Sequence, residues 1–243
     1  MLGRGRAWQF WNAFYAPAMT SLPDVRARWF PPAGKEPPAY IAKHRIAEHI
    51  RSAIESLVGA DVEVVSLEDL AEVEAAARQL EDLLTALPDK RRQGSLAVAP
   101  LPEGALVERS PVSGRSNALA MPLNYEFSGD TTRAWCVYSL AYEGPPGGVH
   151  GGYIAAAFDE VLGVAQMAVG AAGFTGTLTV RYHKLTPVNQ RIDFTAAAGD
   201  RSGRKLLMRA EATAGGELVA EAEGLFIAKA RVEKASEHLW AAD

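Results

Sequence analysis

Cysteine is almost absent: Cys136 stands alone among 243 residues, which excludes an intrachain disulfide and a multi-cysteine zinc site. Such usage fits a reducing compartment, and the cytoplasm is the expected location. There is no excess of positive charge. Lys and Arg number 25 against 29 acids, a net charge of −4, so a nucleic-acid partner has no electrostatic footprint. No run of about 18 apolar residues occurs, so no membrane span is expected. Arg4 and Arg6 precede Trp8, Gln9, Trp11 and Asn12 instead of an apolar stretch, so no secretory signal is expected either. Three hydrolase or nucleotide signatures are missing. There is no Gly-x-Ser-x-Gly elbow and no His-Glu-x-x-His, and the glycines at 147–152 lack the Lys-Ser/Thr of a phosphate loop.

What is present is ordinary globular material, 48% apolar and 22% charged, enough to fill a core. Residues 1–40 are rich in Trp, Arg and Pro and read as an irregular arm, its aromatics (Trp8, Phe10, Trp11, Phe14, Tyr15) free to pack on this chain or on a partner subunit. Ile46, Ile50, Ile54 and Leu57 predict a helix over 43–57. Ser66, with Asp69 three positions later, predicts the cap of a second helix over 67–87 that Pro88 ends. Its stripe of Leu70, Val73, Ala77, Leu80, Leu84 and Leu87 is expected to face a core or another helix. His44 and His49 are badly spaced for a shared metal and are expected at the surface.

After residue 100 the periodicity changes. Leu123, Tyr125 and Phe127 alternate with polar residues, Ser128-Gly129-Asp130 makes a turn, and 133–141 reads as the returning strand, with Cys136 a small hydrophobe on it. A loop over 142–149 leads into an Ala-rich segment, 150–169, apolar nearly all round and therefore expected to be a buried helix. Four strands follow, at 174–184, 191–199, 204–214 and 217–229. Two strands, one helix and a run of antiparallel strands imply an α+β domain with a curved sheet around one long helix. The expected organisation is an arm and helical extension (1–100), an α+β domain (101–231) and a tail (232–243).

The chemistry concentrates at that helix. His150-Gly151-Gly152 opens it, and its first turn offers N–H groups without helical partners. Such groups suit a developing oxyanion, although two glycines equally permit tight packing. Asp159 sits among Ala155, Ala156, Leu162 and Gly163, where a carboxylate needs a compensating role. Glu160 has equally apolar neighbours, and periodicity does not decide between the two acids. Gly151 and Asp159 are eight residues apart, about 12 Å along a helix. If both act on one carbon, they come from different protomers across a two-fold axis.

The run Tyr142-Glu143-Gly144-Pro145-Pro146-Gly147-Gly148-Val149-His150-Gly151-Gly152, then Asp159, then Thr175-Gly176-Thr177-Leu178-Thr179-Val180-Arg181-Tyr182, resembles the hotdog-fold acyl-CoA thioesterases of the PaaI-like branch. The resemblance covers about 110–228 and carries no role over to the first 100 residues. It implies that Asp159 is the catalytic acid, acting as general base or nucleophile, and that the Gly151 N–H is the oxyanion donor. His150 would order the helix entry and line the pocket, Gly152 would contact the substrate, and Thr175 would help to position the water or the facing protomer's carboxylate. Arg181, His183 and Arg204 fall where the family contacts CoA, and Asn117 where it has a substrate-proximal Asn. His183 stands where the family commonly has lysine. The implied assembly is a homodimer or dimer of dimers. The implied substrate is acyl-CoA, with no cofactor beyond the CoA that the substrate carries. Two other readings stay open: a non-catalytic acyl-CoA-binding or scaffolding hotdog protein, and a hotdog hydratase or dehydratase. The latter looks for a His near the acid, but Ala155 and Gly163 hold the positions one turn away.

Overall fold

The computed structural model describes residues 37–88, 109–121, 123–171 and 173–228. The aromatic arm of 1–36, the segment 89–108 and the tail lie outside the described residues. Two compact units are present. The first holds α1 (Pro38–Val58), α2 (Leu67–Thr85) and a short segment, Arg115–Leu119. The second holds Pro111–Gly114 and everything described from Ala120 onward.

In the first unit α2 starts at the expected cap, where Ser66 Oγ accepts from the Asp69 N–H at 3.0 Å. Two expectations about burial are corrected here. His44 is buried on α1 with Ala47, whereas Ile46 and Leu57 are exposed. The buried face runs through His44 and Ala47 to half-buried Ile50 and Ile54, and so takes in only part of the expected stripe. On α2 the stripe is uncovered: Val73, Leu80, Leu84 and Leu87 are all exposed and no residue of the helix is buried. Amphipathic spacing makes a face that is able to bury itself, but it does not supply a surface to cover it.

The second unit is a six-stranded antiparallel sheet with one helix, α3 (Gly151–Ala168), across it, the α+β hotdog arrangement. The strands are β1 (Asn124–Ser128), β2 (Thr131–Val137), β3 (Gly173–Tyr182), β4 (Arg191–Ser202), β5 (Lys205–Ala214) and β6 (Glu217–Ala228). Their spatial order is β1-β2-β4-β5-β6-β3, so β1 and β3 are the two edges. The second strand ends earlier than its apolar pattern suggested, at Val137, and Leu140–Tyr142 forms a single 3-10 turn.

Helix α3 packs through Ile154, Ala157, Phe158, Val161, Leu162 and Ala165, all buried. Phe158 meets Phe194 of β4 edge to face, with ring centroids 5.4 Å apart. Each fully buried Leu, Val or Phe of this kind contributes about 1.5–3 kcal/mol. The helix is not covered all round, however. Gly152 and Asp159 are exposed within the chain, and Ala156, Gly163 and Met167 only half-buried. These residues recur at helical spacing on the side turned away from the sheet. An all-apolar helix was expected to be enclosed; a single sheet encloses only one side.

Candidate active site

Helix α3 begins at His150, whose extended backbone and imidazole form the cap: Nδ1 accepts from the Gly152 N–H at 3.0 Å. That bond requires Nδ1 to be unprotonated. The Tyr153 N–H donates to the His150 carbonyl at 2.9 Å. Of the first three helical N–H groups, only that of Gly151 has no acceptor among the described residues. The donor singled out by resemblance is thus the one the local hydrogen bonding leaves available. His150 itself is set in place by a close backbone approach: a Cβ on Gly144 would lie 2.8 Å from His150 Cα.

Two turns along the same helix, Thr175 Oγ1 donates to Asp159 Oδ1 at 2.7 Å. Thr175 thus holds a carboxylate of its own chain. A β-bulge between Thr175 and Thr177 turns this hydroxyl toward α3. The expectation that the Asp159 carboxylate is enclosed by apolar neighbours is corrected: within one chain Asp159 is exposed, because its neighbours Ala156 and Gly163 lie on the same open side. The neighbouring acid is different. Glu160 accepts a hydrogen bond from buried Ser113, close to the buried Tyr125 phenol. Burial first, and the Glu160 charge second, push that phenol well above its usual range. Glu160 is engaged in the interior, and Asp159 is the acid presented outward.

Sequence reasoning passed over Tyr182. Its phenol donates to the Gly151 carbonyl at 2.8 Å, and its ring lies in van der Waals contact with the space beside that glycine. The position was readable only as the last helix-facing residue of β3; its partner lies 31 residues away in sequence. Gln166 adds a third tie, donating to the Gly173 carbonyl at 3.0 Å. Helix α3 and β3 therefore run antiparallel and are joined at Gly151–Tyr182, Asp159–Thr175 and Gln166–Gly173.

The residues expected to hold CoA each make protein contacts of their own. Arg181 lies on the outer face of the sheet and donates to Glu221 at 3.2 Å, and His183 stands 3.6 Å from the other oxygen of the same carboxylate. Both are exposed, so these pairs contribute little to stability. Arg204 donates from Nε to the Ala228 carbonyl at 2.8 Å, beside the start of β3. Asn117 belongs to the first unit. It donates to the Arg109 carbonyl, accepts from the Leu119 N–H, and its own carbonyl accepts from Arg51, which is the bonding of a turn residue. No group of three metal-ligating side chains occurs among the described residues, and none of the described helices is long and apolar enough to cross a membrane.

No protein-family profile matches the chain. Among solved structures, one described as a thioesterase superfamily protein is 32% identical, covers 76% of this chain and 94% of its own length, and superposes with a TM-score of 0.61. A hypothetical thioesterase with coenzyme A from Streptococcus pneumoniae is 18% identical over 44% of this chain and 89% of its own, with a TM-score of 0.41. The first match spans about three quarters of the 243 residues, more than the segment from 101 onward contains, so it reaches into the helical extension. On identity and on shared length, this chain belongs to the thioesterase superfamily.

Proposed function

We propose that the protein hydrolyses acyl-CoA thioesters to free acid and CoA, at a site shared between two copies of the chain. The observation that carries this reading is the exposed Asp159 carboxylate held by Thr175, on the same helix whose first turn presents the unused Gly151 N–H. The acyl-CoA substrate is inferred from the resemblance of the 142–152 and 175–182 runs to the PaaI-like acyl-CoA thioesterases.

With one carboxylate oxygen occupied by Thr175, the other accepts a proton from water. The water oxygen bonds to the thioester carbonyl carbon, and the carbonyl electron pair moves onto oxygen, where an N–H donor stabilises it. Collapse of that intermediate breaks the carbon–sulfur bond, and the proton on Asp159 passes to the departing CoA sulfur. Asp159 and Gly151 of one chain stand about 12 Å apart along α3, too far to share one carbonyl. The donor is therefore the partner subunit's Gly151.

Strand β3 supports that assembly. It is a ten-residue edge strand with largely exposed residues, and an uncovered edge of that length invites pairing. Antiparallel pairing of β3 with its own copy about its midpoint sets its Tyr182 end beside the Thr175 end of the second copy. Because Tyr182 is tied to Gly151 and Thr175 to Asp159, this brings oxyanion donor and base together twice per dimer.

Release of free thiol from a panel of acyl-CoA esters tests the proposal. Asp159→Asn is expected to lose at least about 10²-fold in kcat. Unchanged turnover in that variant, or an active monomer in sedimentation, overturns it. Tight binding of acyl-CoA by the native chain without hydrolysis would favour the non-catalytic binder.

A further inference from the structure

We infer that Tyr182 is a positioning residue: with His150 it clamps the peptide unit between Gly151 and Gly152, and so restricts the Gly151 dihedrals through which the adjoining His150–Gly151 unit, the one that carries the Gly151 N–H, can turn. This rests on the reading of Gly151 as oxyanion donor. The carbonyl of the Gly151–Gly152 unit accepts from the Tyr182 phenol at 2.8 Å, while its N–H donates to His150 Nδ1 at 3.0 Å. Both polar ends of one peptide plane are held by side chains from outside the helix, one from the preceding loop and one from β3.

Such a clamp answers a specific weakness. Consecutive glycines at a helix start have no Cβ to restrict their dihedrals, and the first turn has the fewest helical hydrogen bonds. An unclamped Gly151-Gly152 unit samples several orientations, and a donor that wanders loses most of its value to a transition state. The Tyr182 ring also closes one side of Gly151: a Cβ there would meet Cζ, Cε1 and Oη at 3.4–3.5 Å. Tyr182 touches neither the reacting carbonyl nor the water; it acts through the backbone.

The same strand holds Asp159 through Thr175, so β3 carries both devices that aim the site. His183, Lys184 and Arg181 adjoin Tyr182 in sequence, but they pair with Glu221 and Glu217 and leave the phenol to Gly151.

The test is Tyr182→Phe in the full chain, which keeps the ring and removes only the hydroxyl. The expected result is a fall in kcat of roughly 10- to 100-fold with KM nearly unchanged, with the dimer intact in sedimentation and faster amide exchange at Gly152. Unaltered kcat, or unaltered exchange at Gly152, overturns the inference. So does a loss that follows dissociation of the dimer, because the phenol would then serve assembly. Asp159→Asn assayed in parallel separates the two readings. If Asp159→Asn retains full turnover, the functional proposal fails; if it is inactive while Tyr182→Phe is unaffected, only the clamp fails.

Discussion

Thr175 Oγ1 lies 2.7 Å from Asp159 Oδ1, a side-chain pair sixteen residues apart that joins the outward carboxylate of α3 to the edge strand β3. The bond engages Oδ1, leaves Oδ2 with no partner among the described residues, and fixes the Asp159 rotamer. Thr175→Val preserves shape and removes the donor. Its kcat is expected to fall about tenfold, the equivalent of one lost hydrogen bond to a charged group, while Thr175→Ser stays near the native rate. Steady-state kinetics on one acyl-CoA decides it, and equal rates for Val and native would show that the contact does not position the acid.

The cap at His150 gives a separable prediction. His150→Ala removes the acceptor for the Gly152 N–H and is expected to cost about 1 kcal/mol, whereas His150→Asn, a strong cap, costs a fraction of that. Urea unfolding midpoints of the two variants should differ accordingly. If they coincide, the imidazole contributes nothing to the helix start.

Gly144 is required by space. A Cβ there would stand 2.8 Å from His150 Cα and 3.0 Å from His150 Cβ, with no flexible side-chain end to give way. Gly144→Ala is therefore expected to destabilise by about 1–3 kcal/mol and to reduce turnover by displacing the helix start. Gly147, at φ +76° with nothing within 4 Å, has a backbone reason instead. Gly147→Ala should cost only about 1 kcal/mol, measured by the same unfolding curves.

Three buried groups set the alkaline behaviour. Burial pushes the Cys136 thiol and the Tyr125 and Tyr138 phenols upward, so the folded chain keeps protons that the unfolded chain releases. Above the ordinary thiol range, about pH 8.5, stability is expected to decline, and to decline faster above the ordinary phenol range, about pH 10. Cys136→Ala should remove the first part of that decline. A flat stability profile from neutral to alkaline pH would contradict it. By the same reasoning, Cys136 in the folded protein should resist thiol reagents until the chain unfolds.

Much of this architecture is legible in the residues themselves. The alternation in β3, the hairpin turns, the Ser66 cap and the start of α3 at His150-Gly151-Gly152 follow from local chemistry, and local chemistry is what a sequence displays. What was misread concerns cover. The exposure of Leu80 and Leu84, the burial of His44 and the open side of α3 depend on whether another surface arrives, and periodicity identifies a face without identifying its neighbour. Thr175 was singled out only through resemblance, and its bond to Asp159 of the same chain, sixteen residues away, leaves no local mark in the sequence. Tyr182 reads as one more strand aromatic because its significance lies in a backbone carbonyl, which leaves no mark in a side-chain pattern.

Counting along β3 gives the bulge at Gly176 a larger meaning. Thr175 and Tyr182 are separated by seven positions, an odd number, and in an uninterrupted pleat odd separations point opposite ways. The surplus residue corrects the parity, so that the hydroxyl and the phenol both turn toward α3 while Arg181 turns outward. Were that residue drawn into the regular pleat instead of bulging, the seven-position separation would turn Thr175 and Tyr182 to opposite faces, and they would no longer reach α3 together. Whether one residue bulges or pleats decides whether this edge strand presents both its hydroxyl and its phenol to α3.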